Sequence, residues 1–279
     1  MAKKYEELTF HDDFMFCKVL ETHPDLCRKL LELALGRKLG DLVSVNRQKP
    51  VEILPDRRGV RFDIYVEDGN NTVYDVEMQN ANRDSIAKRT RYSQAMIDLN
   101  LLERGKRYKD LDGSYIIFIC RFNLFEQAGL HKYSFLNLCR EDPGIELGDS
   151  TEKIFLCSTG NANDISEEMQ SFLRYIAEGI PCDSFTRKLE DAVEEARVHI
   201  HWRQEYMTFL EQLEIEREEG RAEGREEGRA EGREEGRAEE RVNTEREKQR
   251  ADAAESELQR LREEIAELRK DITTRKKPD

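Results

Sequence analysis

The sequence predicts an α/β protein in which a mixed β-sheet is flanked by helices and followed by a charged helical tail. Residues 61–67 and 72–79 are apolar, β-branched runs joined by a short Gly/Asn turn, a pattern typical of a β-hairpin. A helical segment and another apolar run follow. The order strand, strand, helix, strand makes that helix a crossover on a mixed sheet. Glycine, glutamate and arginine dominate from Arg217, where the tail begins.

Two helices and two short strands are predicted before the hairpin. Residues 9–12 can cap a short first helix. Pro24 fits the first turn of a second helix, which is expected to run to Leu35 and to stop at Gly36. The short strands are predicted at residues 42–46 and 51–54.

Helices and strands alternate after the hairpin. Caps at residues 80–84 predict a helix over about 84–102, and the apolar run 115–120 predicts a buried strand. Further strands are predicted at 132–138 and 153–157, and helices at 166–178 and from Asp183 onward. We expect the last helix to carry Trp202 as a packing or surface residue.

The tail combines a charged repeat with a heptad pattern. In residues 216–241 a glycine followed by an arginine recurs every four residues, which indicates a solvated spacer or a marginal helix. In residues 242–279 isoleucines such as Ile265 and leucines such as Leu261 alternate at a and d positions, which favours a parallel two-stranded coiled coil and a homodimer. The alternative is an amphipathic helix folded onto its own domain. The predicted domains are 1–215, 216–241 and 242–279.

The composition bounds the environment of the protein. No run approaches the ~18 apolar residues that a membrane-spanning helix needs, and the N-terminus lacks an apolar signal core. The 6 cysteines show no CxxC spacing and several lie in apolar runs, which favours buried reduced thiols over zinc ligands or disulfides. We therefore expect a cytoplasmic protein with no membrane segment.

Acidic residues lie on both strands of the predicted hairpin. Asp63 is on the first strand, and Glu77 and Gln79 end the second, where alternation turns both to the same side. Two converging strand carboxylates can bind Mg²⁺, which prefers oxygen ligands and keeps waters for chemistry on a phosphate. The alternative is a set of solvated acids on an exposed sheet face.

These residues resemble the site of a known nuclease superfamily. Asp63 followed by Glu77-x-Gln79 is similar to the Asp…(Asp/Glu)-x-Lys motif of the PD-(D/E)XK nucleases, with glutamine in place of lysine. The segments 8–19, 59–66, 73–79 and 89–92, in this order, narrow the resemblance to the Rpn family of recombination-promoting nucleases. That family is also described as PD-(D/E)XK nuclease family transposases. The resemblance covers roughly the first two thirds of the chain.

The resemblance implies a restriction-endonuclease-like core and a Mg²⁺- or Mn²⁺-dependent DNA endonuclease, associated with recombination or transposon-like elements. It assigns the metal to Asp63, Glu77 and the Met78 backbone carbonyl. Asp13, near the start of the first helix, is a candidate third carboxylate, and Gln79 would orient the attacking water by hydrogen bonds. The rival class is a non-catalytic, nuclease-like interaction protein assembled through its coiled coil.

Basic residues follow the predicted site although the formal net charge of the chain is −13. Salt screens remote charge within about 8 to 10 Å, so the local distribution decides whether a protein binds phosphate. A solvated helix face is the alternative for each basic residue. DNA-backbone binding is predicted for Arg83, Lys88, Arg89 and Arg91.

Overall fold

The computed structural model describes residues 3–51, 59–82, 85–102, 105–125 and 128–275. The chain divides into two compact units, Met1–Leu210 and Glu211–Asp279. The first unit contains a mixed sheet with helices on both faces, and the described part of the second is helical. This arrangement confirms the predicted α/β fold class.

The sheet has six strands in the order β1-β2-β3-β4-β6-β5. Their bounds are β1 Leu42–Val51, β2 Val60–Asp68, β3 Val73–Gln79, β4 Ser114–Cys120, β5 Lys132–Phe135 and β6 Thr151–Cys157. The pairs β1–β2, β2–β3 and β5–β6 are antiparallel. The pairs β3–β4 and β4–β6 are parallel, so the sheet is mixed, as predicted.

Six α-helices are described. Their bounds are α1 Asp13–Thr22, α2 Pro24–Leu35, α3 Ile86–Leu101, α4 Glu167–Glu178, α5 Ser184–Val198 and α6 Ile200–Arg275. The start and stop signals predicted for α2 are confirmed, because Pro24 lies in its first turn and Gly36 ends it with a left-handed φ of 70°. Ser166 caps α4 by accepting a hydrogen bond from the Met169 N–H.

The two faces of the sheet pack into separate apolar clusters. Val76 and Ile117 join a large cluster with side chains of α1, α2, α4 and α5. Ile116 and Phe118, next to them on the strands, point to the other face and join a smaller cluster that includes Ile97 of α3. Alternation along the central strands therefore places α3 alone, among the described helices, over the second face.

Several predicted boundaries were wrong. β1 is one strand where two short ones were predicted; it contains Pro50, which an edge strand tolerates because one row of N–H groups needs no ladder partner. Residues 52–54 of the second predicted strand lie outside the described residues. α5 ends at Val198, so Trp202 lies on α6, where it packs against the large cluster as predicted. β5 is shorter than predicted, and Leu138 forms an isolated bridge with Glu146.

α6 continues through the charged repeat and the heptad region. Leu258, Leu261 and Ile265, which occupy predicted seam positions, are each about half exposed. The coiled coil and the homodimer that it would form stay predictions. Among the helices that the structure describes, none combines the length and the apolar character needed to cross a bilayer.

Candidate active site

The candidate site lies where β2 and β3 separate. Their register ends with Ile64 opposite Val76, and the next positions along the strands are Asp63 and Glu77. Side chains replace the backbone ladder there: Glu77 Oε1 accepts a hydrogen bond from the Asp63 N–H at 3.3 Å, and Asp63 Oδ2 accepts one from the Met78 N–H at 3.1 Å. The structure therefore brings the two predicted metal-binding carboxylates together.

The two carboxylates carry more negative charge than their surroundings neutralise. Burial raises the pKa of Asp63 well above its usual range, and the charges of Glu77 and Asp13 raise it further. Burial also raises the pKa of Glu77, which is 1 % exposed, although the positive charge of Arg89 opposes this shift. A cation placed between these groups would relieve both effects.

Gln79 and Arg89 complete the site from two different elements. Gln79 is buried at the end of β3, and its Nε2 lies 3.5 Å from Glu77 Oε2. Arg89, from the first turns of α3, donates through Nη1 to Gln79 Oε1 at 3.3 Å and forms an ion pair through Nη2 with Glu77 Oε2. Arg89 is thus in direct contact with two of the predicted catalytic residues, a position that the sequence did not predict.

Asp13 lies at the exposed start of α1, and Asn80 connects it to β3. Asn80 Nδ2 donates to the His11 carbonyl at 2.8 Å and lies 3.5 Å from Asp13 Oδ1. α1 also contacts the site through Cys17, whose thiol donates to the Asp63 carbonyl at 3.3 Å. Asn80 was missed in the sequence, where its only signal is its place directly after Gln79.

Asp75 is a further acidic residue that the sequence reasoning missed. It lies two positions before Glu77 on β3 and therefore on the same face of the strand. It is 0 % exposed, and neither carboxylate oxygen has a hydrogen-bond partner among the described residues. Burial raises the pKa of Asp75 well above its usual range, and the negative charges of Glu77 and Asp63 raise it further.

The remaining predicted residues differ in how far the structure describes them. The Met78 N–H donates a hydrogen bond to Asp63 Oδ2. The role of the Met78 carbonyl as a metal ligand stays a prediction. Lys88 and Arg91 are exposed on α3, as DNA-backbone contacts require. Arg83 lies outside the described residues.

The donor set fits Mg²⁺ or Mn²⁺. Among the side chains that the structure describes, no group of three or more Cys, His, Asp or Glu could hold a metal by itself. Mg²⁺ does not require one, because it is usually held by one or two carboxylates and completes its shell with waters and substrate phosphate. Asp63 and Glu77 supply such oxygens, and the Arg89 guanidinium forms an ion pair with Glu77.

A comparison with protein families agrees with this geometry. Residues 11–171 match the model of the PD-(D/E)XK nuclease family transposases. The chain belongs to this family. The match includes the whole sheet, Asp63, Glu77, Gln79 and Arg89. No curated protein and no solved structure matches the chain.

Membership of the PD-(D/E)XK nuclease family transposases has consequences for chemistry. It supports a nuclease or transposase-associated role and a hydrolase of the nuclease type, with DNA as the implied substrate. PD-(D/E)XK nucleases generally use divalent metal ions, and the carboxylate pair of this chain suits such an ion.

Proposed function

We propose that this protein is a Mg²⁺-dependent DNA endonuclease that hydrolyses phosphodiester bonds in the course of recombination or the movement of transposon-like elements. The observation that carries the proposal is the convergence of Asp63 and Glu77 where β2 and β3 separate, with Gln79 beside them. Two enclosed carboxylates at a strand end, with raised pKa values, are unfavourable for stability and useful for binding a cation.

Each residue of the site has a role in this reaction. When bound, the divalent ion supplies an activated water and stabilises negative charge on the phosphate. Asp63, Glu77 and the Met78 carbonyl would hold it, with Asp13 completing the shell. Gln79 orients the attacking water by hydrogen bonds. The water oxygen bonds to phosphorus while the ester bond to the leaving sugar oxygen breaks, and the leaving oxygen takes up a proton.

Cleavage of supercoiled plasmid tests the proposal. With Mg²⁺ the wild type should yield nicked and linear DNA, and chelation of the metal should stop the reaction. Asp63→Ala should be inactive because a ligand charge is lost. The matched control is Asp68→Asn, a buried acid of the same strand outside the site, which should cleave like the wild type. Equal cleavage by wild type and Asp63→Ala would refute the assignment.

A second candidate function is non-catalytic binding by a nuclease-like fold. It is favoured by Gln79, which brings no positive charge, and by the Arg89 ion pair that already occupies Glu77. A purified, folded wild type that binds DNA but leaves the plasmid intact over a range of Mg²⁺ and Mn²⁺ concentrations would support this function over the first.

We further propose that the protein is a homodimer formed by a parallel coiled coil in residues 242–279. Seam residues such as Leu261 are half exposed in a single chain, and pairing two chains would bury them. Removing the chain from Val242 should convert the dimer to a monomer, as measured by light scattering, and leave the first unit folded. Leu261→Glu should do the same, whereas Arg260→Glu, outside the seam, should stay dimeric. A mass that falls only by that of the deleted residues would favour a tail packed on its own domain.

A further inference from the structure

The site lacks a positive charge at the place where the PD-(D/E)XK motif has one. The motif places a lysine two residues after the second acid, and this chain has Gln79 there. An amide donates and accepts hydrogen bonds but carries no charge that could oppose the charge developing on a phosphate. β3 contributes Asp75, Glu77 and Gln79 to the site, and β2 contributes Asp63. None of these side chains is positively charged.

Arg89 supplies a positive charge at this position from a different element. Its guanidinium contacts both the Gln79 amide oxygen and the Glu77 carboxylate, at the end of β3 where the motif lysine would be. The guanidinium carbon lies 5.4 Å from the centroid of the Phe118 ring, and Phe118 is opposite Glu77 in the β3–β4 register. The ring and the amide hold the guanidinium on two sides, and 43 % of the Arg89 side chain is still exposed.

We infer that Arg89 is a catalytic residue of this site: its guanidinium, held by Gln79, takes the role that lysine has in the parent motif. The inference rests on the proposed nuclease function. In this arrangement Gln79 keeps its place on the strand and positions the guanidinium, and the charge itself comes from α3. The glutamine substitution is therefore compensated, and it does not mark a site that has lost its chemistry.

The structure shows Arg89 paired with Glu77, and the inference adds a second arrangement with the metal site loaded. A divalent ion held by Glu77 would compete with Arg89 for this carboxylate and would free one side of the guanidinium fork. That side can bind a non-bridging oxygen of the scissile phosphate, because the planar fork fits phosphate and keeps its proton in proteins. Arg89 thus stabilises charge while the water oxygen bonds to phosphorus and the ester bond breaks, and it transfers no proton.

The alternative is that Arg89 only compensates the buried charge of Glu77. Both roles predict some damage when Arg89 is changed, so loss of activity alone does not separate them. They differ in whether a cation returned to the strand restores activity.

The first test compares three variants in the plasmid assay with Mg²⁺. Arg89→Gln should lower kcat by about 100-fold or more, the effect of removing one transition-state contact. Arg89→Lys keeps the charge without the fork and should retain more activity than Arg89→Gln. Arg174→Gln breaks an Arg–Glu pair of α4 outside the site and should cleave like the wild type. Wild-type cleavage by Arg89→Gln overturns the inference and leaves the proposed function standing.

The second test moves the positive charge from residue 89 to residue 79. Gln79→Lys in the Arg89→Gln background places a lysine at the position of the parent motif and should raise kcat at least 10-fold over Arg89→Gln alone. No gain in a variant that unfolds at the wild-type temperature would show that the loss did not come from the missing charge. That result overturns the inference.

The third test measures Mn²⁺ binding by calorimetry and needs no cleavage. If Arg89 competes for Glu77, Arg89→Gln should bind Mn²⁺ several-fold more tightly than the wild type. Binding by Arg89→Gln that equals or falls below that of the wild type would show that Arg89 and the ion do not share Glu77, which overturns the inference. A wild type that binds Mn²⁺ but does not cleave overturns the proposed function itself, and the catalytic role of Arg89 with it.

Discussion

The β2–β3 hairpin carries buried acids at both ends, and the acids at the two ends differ in how many hydrogen bonds they accept. At the turn, Asp68 accepts hydrogen bonds from the backbone N–H groups of Asn70 and Thr72 at 2.9 and 3.0 Å and from the Tyr74 hydroxyl at 2.9 Å. At the other end, Asp63 and Glu77 each accept one backbone N–H, and neither oxygen of Asp75 has a described partner.

The difference separates an acid that stabilises the fold from acids that serve a site. A buried carboxylate is tolerated when donors replace the water it loses, and Asp68 has three. Asp63 and Asp75 at the site end have too few donors, so burial raises their pKa values, whereas Glu77 is stabilised by its ion pair with Arg89. Such deficits concentrate at functional sites, where a ligand supplies the missing interactions.

Removing one charge at the site end should give the largest effect. Glu77→Gln keeps the shape of the side chain but removes a ligand charge, so Mg²⁺-dependent plasmid cleavage should fall to background. The fold should persist, because the change removes a buried charge and keeps an oxygen that can accept the Asp63 N–H. Circular dichroism and thermal unfolding of the purified variant check this part.

The same variant can also show that the two ends of the hairpin do not differ. Wild-type activity in folded Glu77→Gln would mean that the site end is as structural as the turn end. A variant that loses activity only because it unfolds would mean the same, since it would show that Glu77 stabilises the fold.

Removing the acid at the turn should reduce stability instead of activity. Asp68→Ala leaves two backbone N–H groups and the Tyr74 hydroxyl without their acceptor, and we expect the free energy of unfolding to fall by about 2 to 3 kcal/mol. Urea unfolding measures the loss, and cleavage by the folded fraction should match the wild type. An unchanged midpoint would show that water replaces the lost acceptor.

The hairpin and the carboxylate pair could be predicted from the sequence because they follow from local rules. Alternation and the Gly/Asn turn set the register, and that register places Asp63 beside Glu77. The apolar run of β4 and the proline and glycine at the ends of α2 are equally local signals.

Contacts that depend on packing could not be predicted in the same way. The position of Arg89 on Gln79 depends on how α3 crosses the sheet, and a basic residue on a helix gives no sign of that in the sequence. In the sequence, Asp75 is an ordinary acidic residue of a strand. Its complete burial depends on how the neighbouring elements pack. That Pro50 lies inside one continuous strand could not be predicted either, because the edge position that permits a proline is a property of the whole sheet.

A smaller effect is expected from Asp75, and it should depend on pH. Above its ordinary pKa of 3.8 the unfolded chain releases the Asp75 proton while the folded protein still holds it. Each pH unit in that range therefore lowers the free energy of unfolding by about 1.4 kcal/mol per proton. Asp75→Asn has no such proton, so it should equal the wild type near pH 3.8 and become the more stable of the two as the pH rises toward 7.

Unfolding by urea at several pH values measures this difference, and Asp68→Asn is the matched control from the turn end. Asp63 and Glu77 keep their own pH dependence, so the Asp75→Asn profile should be flatter than that of the wild type but not level. Parallel profiles for wild type and Asp75→Asn would show that Asp75 is satisfied in solution and that the two ends of the hairpin are more alike than the structure indicates.

The smallest effect should come from the exposed basic residues of α3 next to the site end. We propose that Lys88 and Arg91 contact phosphates, which would position the duplex without reading its sequence. Each contact releases counterions, so Lys88→Ala and Arg91→Ala should each reduce the slope of log K against log salt by about 0.9 and weaken binding equally for unrelated duplexes.

Lys132→Ala, on β5 at the opposite edge of the sheet from β1, is the control and should leave the slope unchanged. Fluorescence anisotropy with two duplexes between 50 and 200 mM salt measures the slopes. An unchanged slope for Arg91→Ala would place it on a solvated helix face, and DNA would then have to approach the carboxylates from another side.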